Sequence, residues 1–273
     1  RFGNADALVA LTAQIAKREG LGDLLAEGSA RAAKRIGHGA EAFVIAGKGS
    51  ELPAHMPQVE RYVQSVKAAI KRYGLWYGRY PYRTLTIVDP PQDGSGSGGM
   101  EYPTLITAGT AYLLNYWPLS LVRAPEMVTI HEFGHQFWYG LVANNEFEEA
   151  WLDEGVNTYS TGLVMEAEYG ADSSYGWVGP MRIGELDTYQ ASISPTSKDR
   201  IVKPSWAYAG DYSFYSYTKP AIVLRTLEGH LGKDTMARVM RTYHERWRFR
   251  HPSTEDFLAV ASEVAGKDVS WFL

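Results

Sequence analysis

The sequence predicts an α+β fold in which a small sheet is followed by a mainly helical region, on three observations. The clearest β-branched runs, RTLTIV (83–88) and PTLITA (103–108), fall close together. Five stretches after them carry apolar residues at helical spacing. Strands and helices are thus segregated rather than alternating, and no internal repeat is present. With 273 residues, 45% hydrophobic and 21% charged, the chain is long enough for a substantial core and has an ordinary globular composition.

Taken in order, residues 5–19 (ADALVALTAQIAKRE) place Leu8, Leu11 and Ile15 on one helical face, with Gly20 as a stop. A second helix is expected over DLLAEGSARAAKRI, ending at Gly37, and AFVIA (42–46) reads as a short strand. Pro53 and Pro57 suggest a linker, so the expected division is a helical segment 1–57 and a domain 58–273. QVERYVQSVKAAIKRY (58–73) is an amphipathic helix with Val59, Tyr62, Val63, Val66 and Ile70 on its apolar face. After RTLTIV, the run DPPQDGSGSGG demands a loop. The later helices are PEMVTIHEFGHQFWYGLV (125–142), EEAWLDEGVNTYSTGLVMEAEY (148–169), PAIVLRTLEGHL (220–231), DTMARVMRTYHERW (234–247) and STEDFLAVASEVA (253–265). Pro125 suits a first helical turn and Ser253 suits a cap.

Charge and cysteine content narrow the function. Twenty-seven Lys and Arg against 31 Asp and Glu give a net charge of −4, which offers no basic footprint for nucleic acid. With no cysteine, disulfides, iron–sulfur clusters, thiolate zinc sites and cysteine nucleophiles are excluded, so any metal must be held by His, Asp and Glu. No apolar run reaches the roughly 18 residues of a membrane span, and the first residues do not read as a signal peptide. The compartment stays open, with the cytoplasm favoured. The absence of a starting Met leads us to expect a piece of a longer product.

The decisive stretch is HEFGHQFWYGLVANNEFEEAWLDEGVNTY. His131 and His135 lie four residues apart, so on a helix both imidazoles project from one face and can hold one ion. Glu132, about 100° around the helix from His131, is placed to take a proton from an activated water. The longer HExxHxxGxxH pattern is excluded because Trp138 and Leu141 stand where Gly and His would be needed. Glu154, carried on the next helix after a turn around 144–148, is instead the third ligand. Two His and one Glu leave a position open, as in a catalytic zinc site. Thr158, one turn beyond Glu154, is expected to orient a ligand.

HEFGH, Glu154 in WLDEG, the upstream GGMEY (98–102) and YTKP (217–220) together resemble the gluzincin zinc peptidases typified by aminopeptidase N and the leukotriene-hydrolase aminopeptidases. The resemblance covers residues 58–273 and implies a thermolysin-like catalytic domain, one zinc ion, and removal of N-terminal residues from peptides with a free N-terminus. It implies that Gly98, Gly99, Met100 and Glu101 bind substrate, with Glu101 pairing the α-ammonium, and that Tyr217 stabilises the oxyanion. GGMEY departs from the commoner GAMEN, and Pro220 replaces the usual Gly after Lys219. Residues 1–57, with GLGDLLAEG and KGSELPAH, resemble a segment of the tungsten-dependent aldehyde ferredoxin oxidoreductases. Without cysteines no oxidoreductase activity carries over. The gluzincin resemblance also implies an all-β domain ahead of the catalytic one, for which no counterpart is read here. The competing expectation is therefore a zinc-binding fragment or interaction module with an impaired cleft.

Overall fold

The computed structural model describes residues 34–37, 40–46, 52–90, 98–178, 181–193, 199–208 and 210–273. The helix expected over 5–19 lies outside them, as does most of the one expected over 23–36. The described end of the latter is not helical: Lys34–Gly37 forms strand β1, paired antiparallel with β2 (Ala40–Ala46). The Ala-rich run has high helix propensity, and strand pairing with its neighbour overrides that preference at its end.

Helix α1 (Leu52–Trp76) begins six residues before the expected start, so the linker anticipated around Pro57 is helical. Pro57 forgoes one backbone bond, to the Pro53 carbonyl, near the start of the helix. Of the apolar face predicted for α1, Tyr62, Val63, Val66 and Ile70 are essentially inaccessible and Val59 is partly buried; Tyr73 is buried beside them. From α1 the chain enters β3 (Thr84–Asp89), whose alternate residues Leu85, Ile87 and Asp89 are buried. Two short strands follow, β4 (Gly99–Met100) and β5 (Leu105–Ala108).

The five strands form one sheet in the order β1-β2-β3-β5-β4. β2 and β3 run parallel, Glu41 opposite Thr84 through Ala46 opposite Asp89, and β3 and β5 are also parallel. The β2–α1–β3 crossover is thus a parallel unit inside an architecture expected to be segregated. β4 pairs antiparallel with β5 and forms the edge.

The rest is mainly helical, as predicted. α2 (Ala124–Gly134) packs on α1, and Pro125 sits in its first turn. α3 (Val156–Tyr169) follows a π-helical turn, Trp151–Gly155. A two-stranded hairpin, β6 (Gly176–Val178) with β7 (Met181–Ile183), and α4 (Glu185–Ser192) come next. A second π-helical turn, Phe214–Thr218, leads into α5 (Lys219–Leu231), with Pro220 in its first turn. α6 (Lys233–Trp247) and α7 (Thr254–Ala265) pack together, and the Ser253 side chain caps α7 as predicted. Among the described residues, no helix is long and apolar enough to cross a membrane.

One helix ends early. The stretch 125–142 was expected to be continuous, but α2 stops at Gly134 with His135 as its cap. Tyr139 adopts a positive φ of 109°, and Val142 forms a bridge with Arg250. These tertiary contacts turn the chain away from the helix axis. His135 nevertheless keeps a helical φ of −61° and bonds back to the His131 carbonyl at 3.2 Å, so the i,i+4 relation survives.

Candidate active site

α2 delivers His131 and His135 with their Nε2 atoms 3.2 Å apart. The Glu154 Oε2 atom lies 3.2 Å from each. Three lone-pair-bearing atoms within 4.8 Å of one another are stable only around a proton or a metal cation. Two imidazoles and one carboxylate are borderline ligands that suit zinc. The chemistry of the donor set therefore fits the metal expected from the sequence.

The supporting contacts fix that convergence. The His135 Nδ1 atom lies 2.7 Å from Asp153 Oδ1 and 3.2 Å from the Trp138 carbonyl oxygen. Both neighbours are acceptors, so Nδ1 carries a hydrogen and Nε2 is the nitrogen left to exchange its proton for a metal ion. Burial alone would lower the His135 pKa, but the Asp153 and Glu154 carboxylates outweigh it and raise it well above the usual histidine value. For Glu154, burial pushes upward and the two histidines prevail, holding it below the usual carboxylate range. Asn157 donates to the His131 carbonyl at 2.7 Å and so ties α3 to α2.

Glu154 and Tyr217 both sit in π-helical turns, a geometry that recurs at functional sites. The turns touch: the Tyr217 hydroxyl donates to Glu154 Oε1 at 2.5 Å, and its ring stacks on His131 at 5.6 Å. Burial, then the Glu154 carboxylate, raise the Tyr217 pKa, so the hydroxyl keeps its proton. Gly155 permits this approach, because a Cβ there would overlap the Pro220 ring.

A cleft of about 510 Å³ opens on this cluster. One wall is Gly98, Gly99, Met100 and Glu101 at the sheet edge; the other carries His131, Glu132, His135, Glu154 and Tyr217. Every site residue expected from the sequence is thus brought to one cavity. Glu132 has a buried Oε2 with no hydrogen-bond partner, and its pKa is raised chiefly by burial, against the pull of the two histidines. Gly99 faces it so closely that a Cβ would overlap its carboxylate. Thr158 lines the cleft with a buried hydroxyl that has no hydrogen-bond partner, and Asp153 and Asn157 are the neighbours that contact the two histidines.

Sequence reasoning also missed Gln136. Its Oε1 accepts from the Thr104 N–H at 2.8 Å, and its Nε2 donates to the Glu101 and Tyr102 carbonyls at 3.3 and 3.1 Å. Gln136 therefore holds the Glu101 loop against the histidine helix. The available signal was a polar amide directly after HEFGH, at the head of the apolar run FWYGLV; Gln136 is almost wholly buried.

Residues 61–273 match the Peptidase family M1 domain, and residues 1–102 match aldehyde ferredoxin oxidoreductase, domains 2 and 3, so the two matches overlap at 61–102. Aminopeptidase M1-D of Oryza sativa is 25% identical over 197 residues, covering 70% of this chain and 22% of the relative. Aminopeptidase 2 of Candida albicans is 28% identical over 213 residues, 76% of this chain and 22% of the relative. The chain thus spans about a fifth of the length of the curated relatives it matches. Among solved structures, native yeast LTA4 hydrolase superposes with a TM-score of 0.65 at 20% identity, over 88% of this chain and 38% of that one. The M1 zinc metallopeptidase of Deinococcus radiodurans (E323A mutant) gives 0.64 at 18% identity, over 88% and 49%.

Proposed function

The chain belongs to peptidase family M1, and from that membership and the geometry of its cleft we propose that residues 58–273 form the catalytic region of a zinc aminopeptidase. The observation that carries the reading is the convergence of His131, His135 and Glu154 with Glu132 beside them in the cleft. The two histidines and Glu154 would hold one zinc ion, which when bound supplies Lewis-acid polarisation of a carbonyl and acidification of water.

The protein's own groups divide the remaining work. Glu132 is the general base and then the general acid: it takes the proton of the attacking water and returns it to the leaving amine. A carboxylate whose pKa is raised by burial is suited to both steps near neutral pH. The Tyr217 hydroxyl, protonated and now donating to Glu154, turns to the developing oxyanion. Glu101 pairs with the substrate's α-ammonium, which sets cleavage one residue from the N-terminus. The edge strand β4 offers its backbone to an extended peptide.

The test is hydrolysis of aminoacyl p-nitroanilides by the full chain with zinc, with a chelator, and with Glu132→Gln. Chelator-sensitive turnover that the variant loses supports the proposal. Stoichiometric zinc binding without turnover would overturn it in favour of the second reading, an impaired zinc-binding fragment.

A further inference from the structure

A second cavity, of about 360 Å³, lies away from the cleft between the end of α1, α3, α5 and α6. The two cavities share α3 but use different faces of it. Glu154, Thr158 and Thr161 line the cleft, whereas Tyr159 and Leu163 line this cavity. Its body is apolar, walled by Trp76, Tyr77, Leu163 and Met240.

The mouth has the opposite character. Lys233, Arg238 and Arg241 line it and are solvent-exposed, and among the described residues none of the three forms a salt bridge. Arg241 is fixed by donating to the Leu75 and Trp76 carbonyls at the end of α1. The one acid in the lining, Glu228, is already engaged: it accepts from the Tyr159 hydroxyl at 2.6 Å and lies 3.6 Å from Arg225. The inner end therefore does not call for a cation, while the rim presents three unpaired ones. An apolar pocket of a few hundred Å³ with a few cationic groups in its lining has the character of a small-molecule site.

We propose that this cavity binds an amphipathic anion, a single anionic head on an aliphatic or aromatic body, with the head at Lys233, Arg238 and Arg241 and the body against Trp76, Leu163 and Met240. The site is independent of the metal cluster. Calorimetry with octanesulfonate, whose sulfonate is a weak zinc ligand, tests it on the full chain, with neutral octanol as the matched control.

Saturable one-to-one binding is expected, at least tenfold tighter than for octanol and weakening as salt is raised. The exposed double variant Lys233→Glu/Arg238→Glu should weaken binding tenfold or more, and so should Leu163→Trp, which fills the body. Glu132→Gln should leave it unchanged. No saturable binding, equal affinity for octanol, or full affinity in both cavity variants would overturn the proposal. So would a stable dimer in sedimentation velocity that octanesulfonate does not dissociate, since the face would then be an interface between copies.

Discussion

Asp153 Oδ1 stands 2.7 Å from His135 Nδ1, with both side chains almost wholly buried. A carboxylate on the far nitrogen of a metal-binding histidine fixes its tautomer and increases its basicity. Replacing Asp153 by Ala should weaken zinc binding about 10- to 100-fold in a chelator competition, with Asp153→Asn losing only part of that. Equal zinc affinity in all three proteins would show that the Trp138 carbonyl alone orients the ring.

In the proposed mechanism Glu132 and Tyr217 act on the reaction rather than on the metal, so their variants should separate from that of Asp153. Glu132→Gln and Tyr217→Phe are expected to bind zinc normally while turnover falls roughly a hundredfold or more, with little change in KM. Tyr217→Phe also removes the hydrogen bond to Glu154. A zinc affinity measured beside turnover therefore distinguishes lost oxyanion stabilisation from a disturbed ligand.

Glu101 is held at the sheet edge through Gln136, which donates to its carbonyl at 3.3 Å. Glu101→Ala should raise KM for substrates with a free amine far more than it changes kcat. The parent should cleave N-acetylated peptides poorly. Equal cleavage of acetylated and free peptides by the parent would remove the ammonium-pairing role.

Gly99 makes a steric prediction. A methyl group there would overlap the Glu132 carboxylate, so Gly99→Ala should displace the base and lower kcat while zinc content stays at one per chain. Thermal unfolding should change little, since β4 is a two-residue edge strand.

What could be read from the sequence follows the range of the forces involved. The apolar face of α1, the strands expected at 83–88 and 103–108, the Ser253 cap and the His131–His135–Glu154 spacing are short-range patterns, and each reappears in the fold, the strands at 84–89 and 105–108. The early end of α2 was not legible, because it depends on the left-handed Tyr139 and on a bridge from Val142 to Arg250 more than a hundred residues away. β1 and β4 escaped notice because short strands are defined by their partners rather than by periodicity. Asp153 and Gln136 looked like ordinary polar residues. Their roles exist only once the histidine helix, the π-turn and the sheet edge have been brought together.

Acid stability offers a test that does not involve the metal. His244 is buried among the rings of Tyr77, Phe137 and Trp138, at centroid distances of 6.4, 5.3 and 5.6 Å. Burial pushes its pKa down to about 4. In the unfolded chain the same imidazole takes up a proton near pH 6.5. Between those values the unfolded state binds a proton that the native state refuses, so stability falls as pH drops from about 6.5 to about 4, by about 3 kcal/mol in all. Above pH 6.5 both states are neutral and the residue has no pH-dependent effect. His244→Phe keeps an aromatic ring in the same surroundings and removes the proton. Urea unfolding of parent and variant at pH 7.5 and pH 5 should show the parent losing more stability on acidification. The difference of differences isolates His244 from the zinc ligands, whose titration is common to both proteins. An identical pH dependence in the two would mean that His244 takes up its proton in the native state as readily as in the unfolded chain.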